Sequence, residues 1–188
     1  MTVRQPHRPL RATRAHHVAA AAVALLVVIV LTLALRPAAP GRFPVTGVGP
    51  RVGQRVPDLV LPDLVGHRRA LTAWRGHPVA VAFLATWCAG CRDEMPSLDR
   101  ARRDLRRRGL VVVGVDAVGE APAAVARFAH AYSVSFPILL DPSSGAMATF
   151  AVQALPTTVV IGADGRIIAH HEATIDEATL RRAVAGIP

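Results

Sequence analysis

Two nearly unbroken apolar runs, VAVAFLAT at Val79–Thr86 and LVVVGVDA at Leu110–Ala117, constrain this chain more than any other feature. A strand with one wet face alternates polar and apolar residues, so a run without alternation predicts a strand buried on both faces. Between the runs, Met95, Leu98, Ala101 and Leu105 recur at helical spacing, which predicts a helix through Arg108 that stops at Gly109 and is kinked at Pro96. Strand, helix and strand in that order give a βαβ unit with a parallel pair. Upstream, DLVLPDLVGHRRALTAW reads as a short hairpin turning near Gly66. Downstream come a helix over Ala121–Tyr132, a short strand PILL from Pro137 and a helix over Ser143–Phe150. Strands TTVVI and RIIAH are joined by a tight turn at Ala163-Asp164-Gly165, and a last helix covers Asp176–Ala185. The expected fold class is α/β, a central mixed sheet flanked by helices with an N-terminal β-hairpin extension.

The chain has 188 residues, enough for one domain with a core plus an appendage. The appendage comes first. Residues 1–17 hold Arg4, Arg8, Arg11 and Arg14 and no acid, and Val18–Leu35 is apolar except for Thr32. As a helix, 18–35 would be about 27 Å long, close to the hydrocarbon thickness of a bilayer. The expectation is a basic cytoplasmic leader over 1–17, a single transmembrane anchor over 18–35 and everything beyond it outside. A cleaved signal peptide is the rival, but its apolar core is shorter and RPAAPGRF matches a small-x-small cleavage site poorly. Residues 36–50, rich in Pro and Gly, read as a linker and 51–188 as the domain.

The net charge of +9 suggests nucleic acid until it is divided. Residues 1–42 carry six Arg and no acids; residues 43–188 carry sixteen Arg against thirteen acids, a balance of +3. Most of the excess belongs to membrane topology, and no nucleic-acid partner is expected. The remaining cluster, RARRDLRRRG, reads as a solvated helix face, with a docking patch for an acidic partner or anionic lipid as the alternative. The chain has no Lys, which excludes amine and Schiff-base catalysis.

Both cysteines, Cys88 and Cys91, fall in TWCAGCRDEMP, just after the first buried run. A structural staple there would close a very short loop and remove little unfolded-state entropy. A metal site would need further ligands. His170 and His171 are available, but as neighbours on a strand they point to opposite faces, so at most one could join. A reactive dithiol fits best: at a strand-to-helix junction the helix N-terminus favours the Cys88 thiolate, while Cys91, one turn in, faces the protein. One sulfur would attack a partner and the other resolve the mixed disulfide. Glu94 lies three residues past Cys91, on the same helix face and leaning toward the dithiol. Buried there, its pKa would rise and it could carry the Cys91 proton; exposed, it would merely complement the helix dipole.

The stretch FLATWCAGCRDEMPSLD, with its Trp-Cys-x-x-Cys and following Glu-x-Pro, resembles the TlpA/ResA group of membrane-anchored, thioredoxin-like proteins. The likeness runs from VGQRVPDLVLPDL through ALPTTVVIGADGRII. It implies a thioredoxin-like fold, Cys88 as nucleophile, Cys91 as resolving thiol and Glu94 as their proton carrier. It also implies that Pro156 is a cis-proline facing the dithiol, with Trp87, Leu155 and Pro156 receiving an extended substrate segment. Two departures stand out. Ala89-Gly90 lies between the cysteines where the group usually has Pro before the second, and position 82 is Ala where cytosolic thioredoxins keep a buried acid.

The function so implied is thiol–disulfide exchange outside the cytoplasmic membrane, with no cofactor beyond the Cys88–Cys91 couple and no metal. The group mostly reduces, so the expected substrates are disulfides of apocytochrome c or of copper-site proteins in oxidase assembly. Electrons would come from a membrane thiol donor. The alternatives are an oxidant or isomerase of secreted proteins, and a copper chaperone using the Cys pair with one His. A peroxiredoxin is a weaker alternative still, because no Pro-x-x-x-Thr-x-x-Cys pattern leads to Cys88.

Overall fold

The structure, a computed structural model, describes residues 13–34 and 51–185. The chain divides into two compact units, Met1–Gly41 and Arg42–Pro188. In the first, helix α1 runs Thr13–Ala34, beginning five residues before the apolar run. Side chains are described for 21–31 and all are exposed. Among the described residues no helix is long and apolar enough to cross a membrane. Residues 1–12 of the expected leader and the 36–50 linker lie outside the described residues.

The second unit contains the α/β fold that the pattern predicts. The hairpin consists of β1 (Val60–Pro62) and β2 (Arg68–Ala70), antiparallel to each other. The main sheet contains β3 (Val79–Leu84), β4 (Val111–Asp116), β5 (Ile138–Leu140), β6 (Thr157–Ile161) and β7 (Ile167–Glu172), in the order β5-β4-β3-β6-β7. β3 pairs in parallel with β4 and antiparallel with β6, which makes it the central strand of a mixed sheet. All six of its residues are buried, the structural counterpart of the missing alternation.

Alternate β3 residues feed two core layers. Ala80, Ala82 and Leu84 face α2 (Ala89–Asp104) and α5 (Glu177–Ala185), through Met95, Leu98, Leu180 and Val184. Val79, Val81 and Phe83 face the layer that holds Leu61 of the hairpin and Met147 and Phe150 around α4 (Gly145–Thr149). The Phe83 and Phe150 rings meet with centroids 5.5 Å apart and planes tilted by 54°. α3 (Pro122–Ala131) starts with proline at its first turn, where a missing N–H costs nothing, and closes the β5 side through Val125.

Element ends differ from expectation in small ways. The strand VAVAFLAT ends at Leu84, because residues 85–88 turn into α2 through the Cys88 N–H bond to the Ala85 carbonyl at 3.1 Å. α2 ends at Asp104 rather than Arg108: Leu105 leaves helical geometry, Arg106–Arg108 form a single 3-10 turn, and Gly109 stops that turn at φ 75°. Pro96 lies inside α2, seven residues after its first residue, Ala89.

Candidate active site

The site forms where β3 hands over to α2. Cys88 is the N-cap of α2, and the backbone N–H of Cys91 donates to Cys88 Sγ at 3.1 Å. That bond and the helix dipole both favour negative charge on this sulfur. Cys88 and Cys91 are joined as a disulfide, the oxidised state of the pair. The sequence leads one to expect an open Cys88 and an enclosed Cys91. The order holds, but the contrast is small: Cys88 is 6% exposed and Cys91 not at all. The neighbouring Trp87 is 51% exposed.

Leu155–Pro156 is a cis peptide, at the start of β6. Its ring lies against the dithiol turn: a Cβ at Gly90 would stand 3.0 Å from Pro156 Cδ and 3.0 Å from Thr174 Oγ1. The Thr174 hydroxyl also donates to the Gly90 carbonyl at 3.4 Å. Gly90 thus leaves room for the Pro156 ring and the Thr174 hydroxyl beside the dithiol turn, where an added side chain would be crowded. Among the described residues no hydrogen bond uses the backbone of Leu155.

Glu94 is buried, at 1% exposure, on the α2 face that packs on the sheet. The Thr158 hydroxyl donates to its Oε1 at 2.7 Å, while Oε2 has no partner among the described residues. Burial pushes its pKa up to about 7, against smaller lowering effects from Thr158 and the Ile175 backbone. Thr158 lies opposite Ala82 in the ladder. The carboxyl absent from position 82 is thus supplied from α2 and lies over the same strand pair. Thr158 is a site residue that sequence reasoning missed, although a hydroxyl in a strand as apolar as TTVVI needs a buried partner.

A second carboxylate shapes the turn. Glu120 accepts from the Thr86 backbone N–H at 2.7 Å and from the Thr86 hydroxyl at 2.5 Å, just ahead of Trp87 and Cys88. Its own N–H donates to Asp116 Oδ2 at 2.8 Å. Asp116 is fully buried, and burial raises its pKa to about 6. From the helix side, the Arg92 guanidinium donates to the Thr86 and Trp87 carbonyls at 3.5 and 3.4 Å.

The two histidines separate as strand geometry requires. His171 pairs with Thr158 and so lies on the α2 face, whereas His170 faces the other layer, its Nε2 3.3 Å from the Phe150 carbonyl oxygen. Among the described residues no three His, Cys, Asp or Glu side chains are grouped so as to hold a metal ion.

Residues 52–170 match the model of the AhpC/TSA family. The thiol-disulfide oxidoreductase ResA of Geobacillus kaustophilus is 35% identical over 116 residues, 62% of this chain and 66% of the relative. ResA of Bacillus subtilis is 32% identical over 128 residues, 68% of this chain and 71% of the relative. The matched region thus spans about two thirds of the length of these relatives. Among solved structures, a candidate thiol:disulfide interchange protein DsbE from Chlorobium tepidum superposes with a TM-score of 0.68 at 23% identity, covering 73% of this chain and 97% of that one, a likeness of fold. With the dithiol at the head of α2 and the thioredoxin-like sheet beneath it, the chain belongs to the AhpC/TSA family, among its ResA-like thiol-disulfide oxidoreductases.

Proposed function

We propose that the protein is a membrane-tethered reductant of protein disulfides outside the cytoplasmic membrane. The observation that carries this reading is the Cys88–Cys91 pair itself: one sulfur at a helix N-terminus with an N–H aimed at it, the other enclosed and three residues before the buried Glu94 on the same helix. In the reduced enzyme the Cys88 thiolate attacks one sulfur of a substrate disulfide and the other substrate sulfur leaves as a thiolate, which takes a proton from water. Cys91 then gives up its proton, attacks Cys88 Sγ and releases the second substrate thiol. The products are a substrate dithiol and the Cys88–Cys91 disulfide, a two-electron transfer. Glu94, with its pKa about 7, is suited to take the Cys91 proton near neutral pH.

An extended substrate segment would lie along Trp87 and pair with the backbone of Leu155 beside Pro156. The tether reading rests on the apolar residues 18–35, most of which lie in α1, and on the Arg-rich leader before them. The substrates we propose are disulfides of apocytochrome c or of copper-site proteins. A thiol donor in the membrane would return the enzyme to its dithiol form, because disulfides otherwise persist outside the membrane.

The reduction potential of the Cys88–Cys91 couple tests the direction of electron flow. A reductant should equilibrate near the potential of thioredoxin, about −270 mV, whereas a value near about −120 mV would make the protein an oxidant.

A further inference from the structure

The domain has two chemically opposite ends. The dithiol, Trp87 and Glu120 lie at the carboxyl end of β3. At the other end, where β3 and β4 begin, residues 51–56 are stitched to the β6–β7 turn: the Gly53 N–H donates to the Ile167 carbonyl at 2.7 Å and the Val56 N–H to the Gly165 carbonyl at 3.0 Å. Arg51, Arg55 and Arg166 are exposed there, and Arg75 joins them, its Nε 3.8 Å from where a Cβ on Gly165 would be. The 3-10 turn Arg106–Arg108 ends at Gly109, which lies against His77 just before β3, so three more exposed guanidinia belong to the same end.

Counterions within the protein are few. Asp164 faces Arg166 at 3.6 Å, Asp58 accepts from the Thr72 hydroxyl, and Asp104 pairs with Arg181. Among the described residues, Arg51, Arg55, Arg75 and the Arg106–Arg108 triplet have no carboxylate partner. Val52, 62% exposed, adds an apolar side chain between Arg51 and Arg55. β3 spans about 17 Å and α2 about 24 Å between the two ends, more than a Debye length at physiological salt.

We propose that this arginine end is a docking face for anionic phospholipid headgroups, and that docking holds the dithiol pointing away from the bilayer. The inference rests on the membrane-tethered reading above. Charge complementarity supports lipid as the occupant, and so does continuity of the chain: Arg51, the first described residue of the domain, lies in the patch, and the segment preceding it leads back to the apolar 18–35 run. A substrate would then reach Cys88 from the aqueous side.

The chain's two tryptophans, Trp74 and Trp87, report the two ends separately. Trp74 borders the pocket formed with Val56, Arg75, His77 and Gly165, at the arginine end. The full-length protein is reconstituted into vesicles of phosphatidylcholine, alone or with phosphatidylglycerol, carrying a headgroup-quencher lipid; W87F leaves Trp74 and W74F leaves Trp87. Trp74 should be quenched strongly only in the anionic vesicles, and Trp87 weakly in both. Each neutralised arginine should weaken surface partition on the order of fivefold, so R106Q/R107Q/R108Q should lower docking by about a hundredfold. About 1 M salt should also abolish it.

Equal Trp74 quenching in the two vesicles, no loss in the triple variant, or stronger quenching of Trp87 than of Trp74 would overturn the proposal. A Trp74 response to duplex DNA but not to anionic vesicles would assign the face to nucleic acid and overturn it too. Flotation with phosphatidylcholine vesicles at high salt tests the tether alone. If flotation fails while protein added from solution still gives the anionic-only Trp74 signal, the tether is refuted and the docking face stands.

Discussion

Replacing Glu94 by Gln isolates the contribution of the buried carboxyl. The group's pKa rises from 4.5 in the unfolded chain to about 7 in the fold, mainly through burial. At about 1.4 kcal/mol per pH unit, this corresponds to about 3 kcal/mol. Below pH 4.5 the carboxyl is protonated in both states and contributes nothing. Between 4.5 and 7 the native state holds the proton while the unfolded chain has released it, so stability falls as pH rises. By about pH 7.5 the whole penalty is present. Asp116, also raised by burial to about 6, acts with the same sign but is common to both proteins and cancels in their difference. The amide in Glu94→Gln adds an unpaired N–H where Oε2 has no partner, an offset that does not vary with pH. Urea unfolding of oxidised residues 42–188 between pH 4 and 8.5 should show the stability difference, wild type minus variant, falling by about 3 kcal/mol across the range. A difference that stays flat, or rises with pH, would refute the assignment of Glu94 as a buried, neutral-pH titrating group.

The turn before the dithiol should depend on Glu120: Glu120→Ala leaves the Thr86 N–H and hydroxyl without their acceptors and should cost about 2 kcal/mol by urea titration, with Glu120→Gln closer to wild type. At Gly90, Gly90→Ala brings a methyl group to 3.0 Å from both Pro156 and Thr174 and should cost about 1 kcal/mol despite the better helix former. Adding Thr174→Ala should recover part of that loss in the same assay.

The main sheet was legible because its physics is local and strong. Two apolar runs without alternation can be buried only on both faces, and they became β3 and β4, paired in parallel as the βαβ pattern requires. Cys88 and Cys91 were legible from their place after the first run, and the cis bond at Pro156 followed from family resemblance rather than from the residues alone. The Thr158–Glu94 and Glu120–Thr86 contacts were not legible, because they join residues 64 and 34 positions apart and depend on strand order, which a single sequence does not display. The end of α2 is not legible, because Leu105 continues the apolar spacing that marks a helix although the backbone has already left it. In sequence, RARRDLRRRG reads as a solvated helix face for a related reason: only the fold brings Arg106–Arg108 to the end that Arg51, Arg55 and Arg75 occupy.

The claim that Cys88 attacks and Cys91 resolves is tested most directly by trapping. Full-length Cys91→Ser and Cys88→Ser proteins are expressed in their native membrane, alkylated and resolved on non-reducing gels. Cys91→Ser should accumulate a thiol-sensitive mixed disulfide with a substrate protein, because the resolving sulfur is gone, and Cys88→Ser should accumulate none. Equal trapping by both variants, or trapping by Cys88→Ser alone, would contradict the assignment of roles. No adduct in either, with bound copper lost alike in both variants, would contradict thiol–disulfide exchange itself.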